Sequence, residues 1–347
     1  MGMSVVLAQV APVNHAAPSL KGQVERILAN ATVDGDDEAH SLQSVRALAK
    51  QAFLERRPNA LQEAHDVLRR LYDLQLAPAH ALEAEHQYNV QLIAVRTELE
   101  RAWMHSDAVS VPASCIAVGE AASAIQGAWR AHSSFNHPIF DFMEYEASRE
   151  QISLYFICDY ALNMRFYDLI ALACLAVDEE ARCEVAANLW DEVGRGERSK
   201  AHVTLYRNVL DHIGSSGCRE NYLSMLGWEG LAGYNLLMHL ALVRRQHYRY
   251  IGALAITELS DPNQYAKLLK GCARVGVGVD APGVLDYYQE HVLVDSLHGE
   301  GWIEHVIEPA IRDHPTHSSE IMEGAVLRMN STSRYWDWLL DKMKSIY

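Results

Sequence analysis

Three side chains towards the carboxyl-terminal end of the sequence form the pattern HxxxDxxH: His291, Asp295 and His298. On an α-helix, positions i, i+4 and i+7 fall within about 60° of one another, so the three side chains project from one face. Two imidazoles and a carboxylate favour iron, manganese or zinc over calcium. The alternative is a polar helix face with histidines placed by chance, since the chain has 17 histidines in 347 residues.

A second candidate pair, Glu192 and His202, lies in the stretch NLWDEVGRGERSKAH. Ten residues turn an ideal helix to about −80°, so the two side chains would not share a face of a continuous helix. Gly194 and Gly196 weaken a helix, and a break or bulge at these glycines can turn His202 back towards Glu192. The alternative is a helix that ends at Gly194, followed by a helix that begins with His202 by accident.

A third candidate is Glu258, which ends the otherwise apolar run YIGALAITE. Taken alone, this carboxylate is better interpreted as a solvated group near a helix end. Taken with the other two segments, it completes a set of three carboxylates and three imidazoles from three helices. The cores of helix bundles are places where such sets hold two metal ions. The candidate ligands are Glu192, His202, Glu258, His291, Asp295 and His298.

The segments that carry these residues are predicted to be helical, because Ala, Leu, Glu, Arg and Gln are common and only ten prolines interrupt them. Residues 1–37 are expected to be loosely ordered, and three amphipathic helices are expected between 38 and 108. The stretch SDAVSVPAS then breaks the pattern. We therefore divide the chain into an N-terminal helical accessory region, 1–110, and a second domain, 111–347.

The second domain is predicted to be an all-α bundle, because too few segments read as strands to build a sheet. Residues 148–176 are expected to form one long helix that is apolar on one side. The helix that carries Glu258 is expected to stop at Pro262. The stretch from Ser318 to the end of the chain is predicted to be a closing helix.

Composition excludes several classes of partner. The formal net charge of −15 argues against nucleic acid and against an anionic membrane surface, since both are bound through clustered Lys and Arg. The longest apolar run, 169–177, is far shorter than a membrane span. Six cysteines without a CxxC pair, and no signal peptide, predict a cytoplasmic protein with reduced thiols.

The motifs DExGxGx5H and HxxxDxxH, with GALAITE between them and NMRFYDLIALACLAV before them, resemble the haem-oxygenase-like diiron oxidase and oxygenase superfamily. Its members are often described as iron-containing redox enzymes. The resemblance covers about residues 130–310. It implies a seven-helix haem-oxygenase-like bundle with two non-haem irons and O2 as cosubstrate. It also implies a small-molecule substrate, an amino acid or its derivative, that undergoes N-oxygenation, oxidative C–C cleavage or desaturation in specialised-metabolite biosynthesis.

The resemblance also implies an assignment of the ligands. Glu192 and His202 would bind one iron, and Asp295 with His298 the other. Glu258 and His291 would complete the coordination. A homodimer and an external electron donor are compatible with this function.

The chain departs from the family pattern at Asp159, where relatives with an additional carboxylate usually carry Glu. Asp159 is therefore a candidate seventh ligand, with a polar partner of a ligating histidine as the alternative. Arg165 is a candidate for binding a substrate carboxylate, with a structural ion pair to Asp168 as the alternative. Two other functions remain open: a metal-free helical binding protein, and a thiaminase-like enzyme on the same fold, for which Cys158 is the candidate nucleophile.

Overall fold

The architecture is helical throughout the described residues, which in this computed structural model are 19–29, 37–111, 116–175, 177–215 and 217–346, with the side chains of 37–41, 261 and 294–297 outside the description. The α-helices in chain order are α1 Leu20–Leu28, α2 Asp37–Ala49, α3 Pro58–Asp73, α4 Val90–Ser106, α5 Ala121–Ala131, α6 Pro138–Tyr145, α7 Arg149–Cys158, α8 Tyr160–Asn163, α9 Phe166–Cys174, α10 Glu179–Glu192, α11 His202–His212, α12 Arg219–Leu223, α13 Trp228–Leu242, α14 His247–Arg274, α15 Asp286–Gly301, α16 Glu308–Asp313 and α17 Ser318–Lys344. Two π-helical segments are Lys50–Leu54 and Trp302–Ile307, and the 3₁₀ segments are Leu74–Leu76, Leu82–His86, Gly194–Gly196, Arg198–Lys200, Arg244–Gln246 and Pro315–His317.

No β-strand occurs in the described ranges, which confirms the predicted all-α class. None of the helices in these ranges combines the length and the apolar character needed to cross a membrane.

The centre of the bundle is α14, which packs along α15, α17 and α6. The contact with α17 brings the two backbones together at a pair of glycines. A Cβ atom on Gly252 would lie 2.0 Å from the carbonyl oxygen of Ile321, and one on Gly324 would lie 1.9 Å from that of Arg249. Only glycine fits at this crossing, so the sequence sets the spacing of the two helices around which the rest of the bundle packs.

The N-terminal helices pack on the bundle through α3, which lies against α13, while α2 packs against α4. Buried residues of both parts, such as Leu68 of α3 and Leu237 of α13, belong to one continuous apolar core. The division into 1–110 and 111–347 stays a prediction. The expectation of loose order over 1–37 is wrong for α1, where the Ser19 side chain caps the helix and Leu20 and Val24 are buried.

The single long helix predicted over 148–176 is wrong, because the chain forms α7, α8 and α9 there, with a break at Asp159 and a second at Arg165. At the first break the Asn163 amide donates to the Asp159 carboxylate at 3.1 Å, and the Tyr206 hydroxyl of α11 donates to the Phe156 carbonyl. Such bonds compete with the regular helix ladder. The contact from Tyr206 is tertiary, so no local pattern in the sequence predicts it.

The expected stop at Pro262 is also wrong, because α14 continues through this proline to Arg274. An internal proline removes one backbone donor and costs a helix about 3 kcal/mol. The two halves of α14 are buried against α6, α15 and α17, and this packing outweighs the local cost. As a result Glu258 lies inside a long helix and is only 3% exposed, rather than solvated near a helix end. The closing helix predicted from Ser318 is confirmed as α17.

Candidate metal centre

The helix is broken between Glu192, the last residue of α10, and His202, the first residue of α11. Gly194 makes this possible, because its φ of +68° lies in the left-handed region. A Cβ atom there would also lie 2.3 Å from the backbone nitrogen of Ala201. The helix therefore ends near Gly194 and His202 does begin the next helix. Even so, the break brings the two side chains together, with His202 Nδ1 3.0 Å from Glu192 Oε2.

His291 of α15 joins this pair to form a group of three buried side chains. Ligand atoms of Glu192, His202 and His291 all lie within 4.8 Å of one another. The Nδ1 atom of His291 is 2.6 Å from the carbonyl oxygen of Tyr287, which can only accept a hydrogen bond. The proton is therefore on Nδ1, and Nε2 carries the lone pair. A backbone carbonyl that fixes the tautomer in this way is the usual support of a metal-binding histidine.

About two turns further along α15, His298 lies between two carboxylates. Its Nε2 atom is 2.9 Å from Asp191 Oδ2, and its Nδ1 atom is 3.7 Å from Glu258 Oε2. Asp191 in turn accepts from Arg195 Nε at 2.6 Å. Because the Asp191 carboxylate accepts from Nε2, the Nδ1 atom is the one that faces Glu258. A carboxylate that accepts from one nitrogen of an imidazole is the usual support of a histidine that binds metal through its other nitrogen.

The charges of the two groups act on each other. Burial raises the pKa of Glu192, but His202, His291 and His298 outweigh it and hold the pKa below its ordinary value. Burial lowers the pKa of His291 to about 3. Burial likewise lowers the pKa of His298, yet Glu258 and Asp191 overcome this and raise it to about 9. Burial raises the pKa of Glu258, with His298 opposing the shift and Glu192 adding to it.

Two buried polar atoms of the described candidate ligands lack a hydrogen-bond partner. Among the described residues, His202 Nδ1 and Glu258 Oε1 have no hydrogen-bond partner. The 3.0 Å approach of His202 to Glu192 therefore lacks the angles of a hydrogen bond. A buried polar atom without a partner costs about 1–3 kcal/mol, so it calls for an explanation. A cation bound at each donor group would satisfy both atoms.

The structure brings five of the six predicted ligands into these two groups: Glu192, His202 and His291 in one, and Glu258 and His298 in the other. Asp295 belongs to α15, but its side chain lies outside the described residues. Asp159 is not part of either group. Its carboxylate accepts from Asn163 and lines the same cavity as Glu258 and His291.

That cavity is lined by residues of α7, α8, α9, α13, α14, α15 and α17 and has a volume of about 70 Å³. Tyr155 and Phe166 line it. Arg165 does not line it. The Arg165 guanidinium donates to Asp168 Oδ2 at 2.9 Å and faces a separate surface pocket beside Arg219. The structure thus places Arg165 in the ion pair that the sequence suggested as the alternative.

Sequence reasoning missed one charged group of the cavity, Arg328, and weighed the carboxylate partner of His298, Asp191, only in passing. Asp191 is the first residue of the DExGxG motif, so its position beside the ligands was visible, although its contact with His298 was not. Arg328 of α17 lines the cavity. It lies 30 residues beyond His298, outside both motifs, and no spacing pattern connects it to them. Only the packing of α17 on α14 brings it to the cavity.

Two comparisons with known proteins bear on this centre. The family model described as "Iron-containing redox enzyme" matches residues 154–333, a range that contains all the candidate ligands from Asp159 to His298. Nitrosourea synthase from Streptomyces achromogenes subsp. streptozoticus is 28% identical over 132 residues, which are 36% of this chain and 26% of that protein. The chain thus spans about a quarter of the length of this curated relative.

Proposed function

The chain belongs to the iron-containing redox enzyme family, and we propose that it is an O2-activating non-haem diiron oxidase or oxygenase. The proposed substrate is a small metabolite, an amino acid or an amino-acid derivative, in specialised-metabolite biosynthesis. The relative named nitrosourea synthase favours N-oxygenation among the possible reactions, because a nitrosourea carries an oxidised nitrogen. The haem-oxygenase-like bundle agrees with the observed all-α fold.

The observation that carries the proposal is the pair of buried donor groups on α10, α11, α14 and α15. Each group combines carboxylate with imidazole, and each histidine of α15 has its second nitrogen held by an acceptor, Tyr287 O or Asp191 Oδ2. Imidazole and carboxylate donors suit iron. Glu192, His202 and His291 would hold one iron, and Glu258, His298 and Asp295 the other, with Asp159 a further candidate.

Two ferrous ions, when bound, would supply electrons and open coordination positions for O2. The chain itself supplies orientation and the exclusion of water. The Asp191 carboxylate holds the Nε2 proton of His298, and the Tyr287 carbonyl holds the Nδ1 proton of His291. Tyr288, in the first turn of α15, and Trp302, just after its last residue, are each fully buried and keep bulk water from the donors. An apolar enclosure of this kind strengthens the charge interactions inside it.

A thiaminase-like reaction would need a reactive thiolate in the cavity. Cys158 lines the cavity, but burial raises the pKa of its thiol to about 12, and Lys342 only partly opposes the shift. At neutral pH this cysteine is a buried thiol rather than a nucleophile. The structure therefore favours the metal-dependent function over this alternative.

Oxygen consumption by ferrous protein tests the proposal. Protein loaded with ferrous iron without air and then mixed with O2 should consume O2 faster than the same iron in buffer. His298→Ala should abolish the excess, because the imidazole between Asp191 and Glu258 is lost. Cys158→Ala is the matched control and should consume O2 like the wild type. No excess over free iron in the wild type would refute the function, and a loss of the excess in Cys158→Ala would favour a thiol-dependent reaction.

A further inference from the structure

The cavity beside Glu258 and His291 contains polar atoms that no described residue satisfies. Gln264 Nε2 of α14, and Ser331 Oγ and Tyr335 OH of α17, are buried without a hydrogen-bond partner among the described residues, as is Glu258 Oε1. All four residues line this one cavity. Gln264 and Ser331 are 4% and 2% exposed, so bulk water does not reach them freely. Unsatisfied polar atoms at one buried place indicate a polar ligand.

A positively charged group lines the same wall. Arg328 Nε donates to Thr257 Oγ1 at 3.0 Å, and the Thr257 hydroxyl donates to the carbonyl oxygen of Ala253 at 2.9 Å. Because the hydroxyl proton is used on Ala253, the Thr257 oxygen is left to accept from Arg328 and fixes the direction of the guanidinium. The positive charge of Arg328 also acts on Asp159 across the cavity. Burial raises the pKa of the Asp159 carboxyl, and the charge of Arg328 partly opposes this rise.

The polar wall and the metal ligands are close along the chain of α14. Thr257, which orients Arg328, directly precedes the candidate ligand Glu258, and Gln264 lies less than two turns further on. A molecule in the cavity can therefore touch Arg328 at one end and approach the Glu258 and His291 side chains at the other. A guanidinium is the donor that best matches the geometry of a carboxylate.

We propose that this cavity binds a small polar carboxylic acid, with its carboxylate on Arg328 and its hydrogen-bonding groups against Gln264, Ser331 and Tyr335. The inference rests on the proposed function, because it takes this acid to be the substrate. It excludes a long-chain fatty acid, whose methylene groups would leave the four polar atoms buried and unpaired. Arg328, rather than Arg165, is then the residue that determines specificity for the acid.

Equilibrium dialysis of the full-length protein tests this inference without turnover. Wild-type protein, loaded with ferrous iron and kept without air, is dialysed against a mixture of the twenty proteinogenic L-amino acids and, separately, against dodecanoate. Mass spectrometry then measures what the protein retains. We expect the wild type to retain at least one amino acid and not to retain dodecanoate. The amine that corresponds to a retained acid without its carboxylate should bind at least about tenfold more weakly, since a charge-assisted pair is lost.

Variants assign the contact to Arg328. Arg328→Gln should weaken retention about tenfold or more. Arg165→Gln, which removes a guanidinium outside the cavity, should bind like the wild type. Ser331→Ala changes only one hydroxyl and should weaken binding by a smaller factor, so it tests the site if Arg328→Gln folds poorly. Retention of dodecanoate, retention of no amino acid, or unchanged binding in both Arg328→Gln and Ser331→Ala overturns the inference.

Iron content measured on the same samples separates the two proposals. If the wild type holds iron but its retention of the acid does not depend on Arg328, only the assignment of the cavity fails. If the wild type holds no iron, the proposed function fails, whatever the dialysis shows. Arg328→Gln should keep the iron content of the wild type, because the Arg328 guanidinium donates to Thr257, which is not a candidate ligand.

Discussion

Asp191 orients His298 through a single hydrogen bond from Nε2, and Arg195 fixes Asp191 from its other oxygen. This carboxylate has no place in either donor group, so its effect on a metal passes through the imidazole. It keeps the Nε2 proton in place and leaves Nδ1 facing Glu258. Carboxylate partners of this type raise the basicity of the histidine and lower its freedom to rotate.

The first prediction therefore concerns Asp191→Asn. The amide keeps the size of the side chain but loses the negative charge, so the affinity for ferrous iron should fall about 10–100-fold. Anaerobic titration with ferrous iron, in which the amount of bound iron is measured at each step, gives the change in affinity. Asp211→Asn, an exposed position on α11, is the control and should bind iron like the wild type. Equal affinities in the two variants would show that Asp191 has no part in the centre.

At the scale of elements, the centre depends on how α10 ends and α11 begins. Gly194 has a left-handed backbone and lies against the backbone of Ala201, which directly precedes His202. The position of His202 beside Glu192 thus follows from a glycine that has no contact with a metal. Arg195, the next residue, also has a positive φ of 54°, and its side chain pairs with Asp191.

The second prediction is that Gly194→Ala separates His202 from Glu192. The added Cβ atom would lie 2.3 Å from the Ala201 nitrogen, so the backbone must shift as well as adopt a strained φ. We expect iron binding to fall below that of the wild type. We also expect the free energy of unfolding to fall by about 1–3 kcal/mol, which lowers the melting temperature by several degrees. Iron content and thermal unfolding followed by circular dichroism measure the two effects.

Gly127→Ala provides the control for this substitution. Gly127 lies in α5, and a Cβ atom there would meet nothing within 4 Å. Alanine should raise stability there by about 1 kcal/mol, because glycine is the poorer helix former, and it should leave iron binding unchanged. If Gly194→Ala behaves like Gly127→Ala, the turn after α10 does not position His202.

The same elements show what the sequence can predict and what it cannot. The spacing of His291 and His298 on one helix face follows from 3.6 residues per turn, and α15 confirms that helix. The glycines after Glu192 indicated a break, and the break exists. The division of 148–176 at Asp159 was not predictable, because it depends on Tyr206 from another helix. The continuation of α14 through Pro262 depends on packing along its whole length, which overrides a local signal.

At the scale of the whole molecule, an ion-pair network joins the N-terminal helices to the bundle. Asp73, at the end of α3, accepts from Arg69 at 2.9 Å, from Arg219 of α12 at 2.7 Å and from Tyr234 of α13 at 2.5 Å. Burial raises the pKa of the Asp73 carboxyl, but Arg219 and Arg69 outweigh it and hold the pKa below 3.8. The side chain of Arg69 is only 3% exposed, so removal of Asp73 leaves a buried charge less well paired.

The third prediction follows from this network. Asp73→Asn should lower the free energy of unfolding at pH 7 by about 3 kcal/mol. Because the pKa of Asp73 is lower in the folded than in the unfolded chain, its stabilisation is present above the unfolded pKa and is lost as the pH falls through the folded pKa. The difference between variant and wild type should therefore shrink below about pH 4.

Urea unfolding at pH 7 and at lower pH, followed by circular dichroism, measures this difference. Asp341→Asn, an exposed position near the end of α17, should match the wild type at every pH. We also expect the wild type to unfold in one transition, because α3 and α13 share one apolar core. A separate early transition that Asp73→Asn leaves unchanged would mean that the N-terminal helices fold apart from the bundle.

The central claim is that the carboxylates and imidazoles of α10, α11, α14 and α15 hold two irons. The most direct test is the iron content of protein that has been loaded with ferrous iron without air and then freed of unbound metal. We expect about two irons per chain, one for each donor group. We also expect a clear fall from that value in both Glu192→Gln and His298→Ala, with helical content unchanged. A wild-type protein that holds no iron above background, or the same iron content in all three proteins, would contradict it.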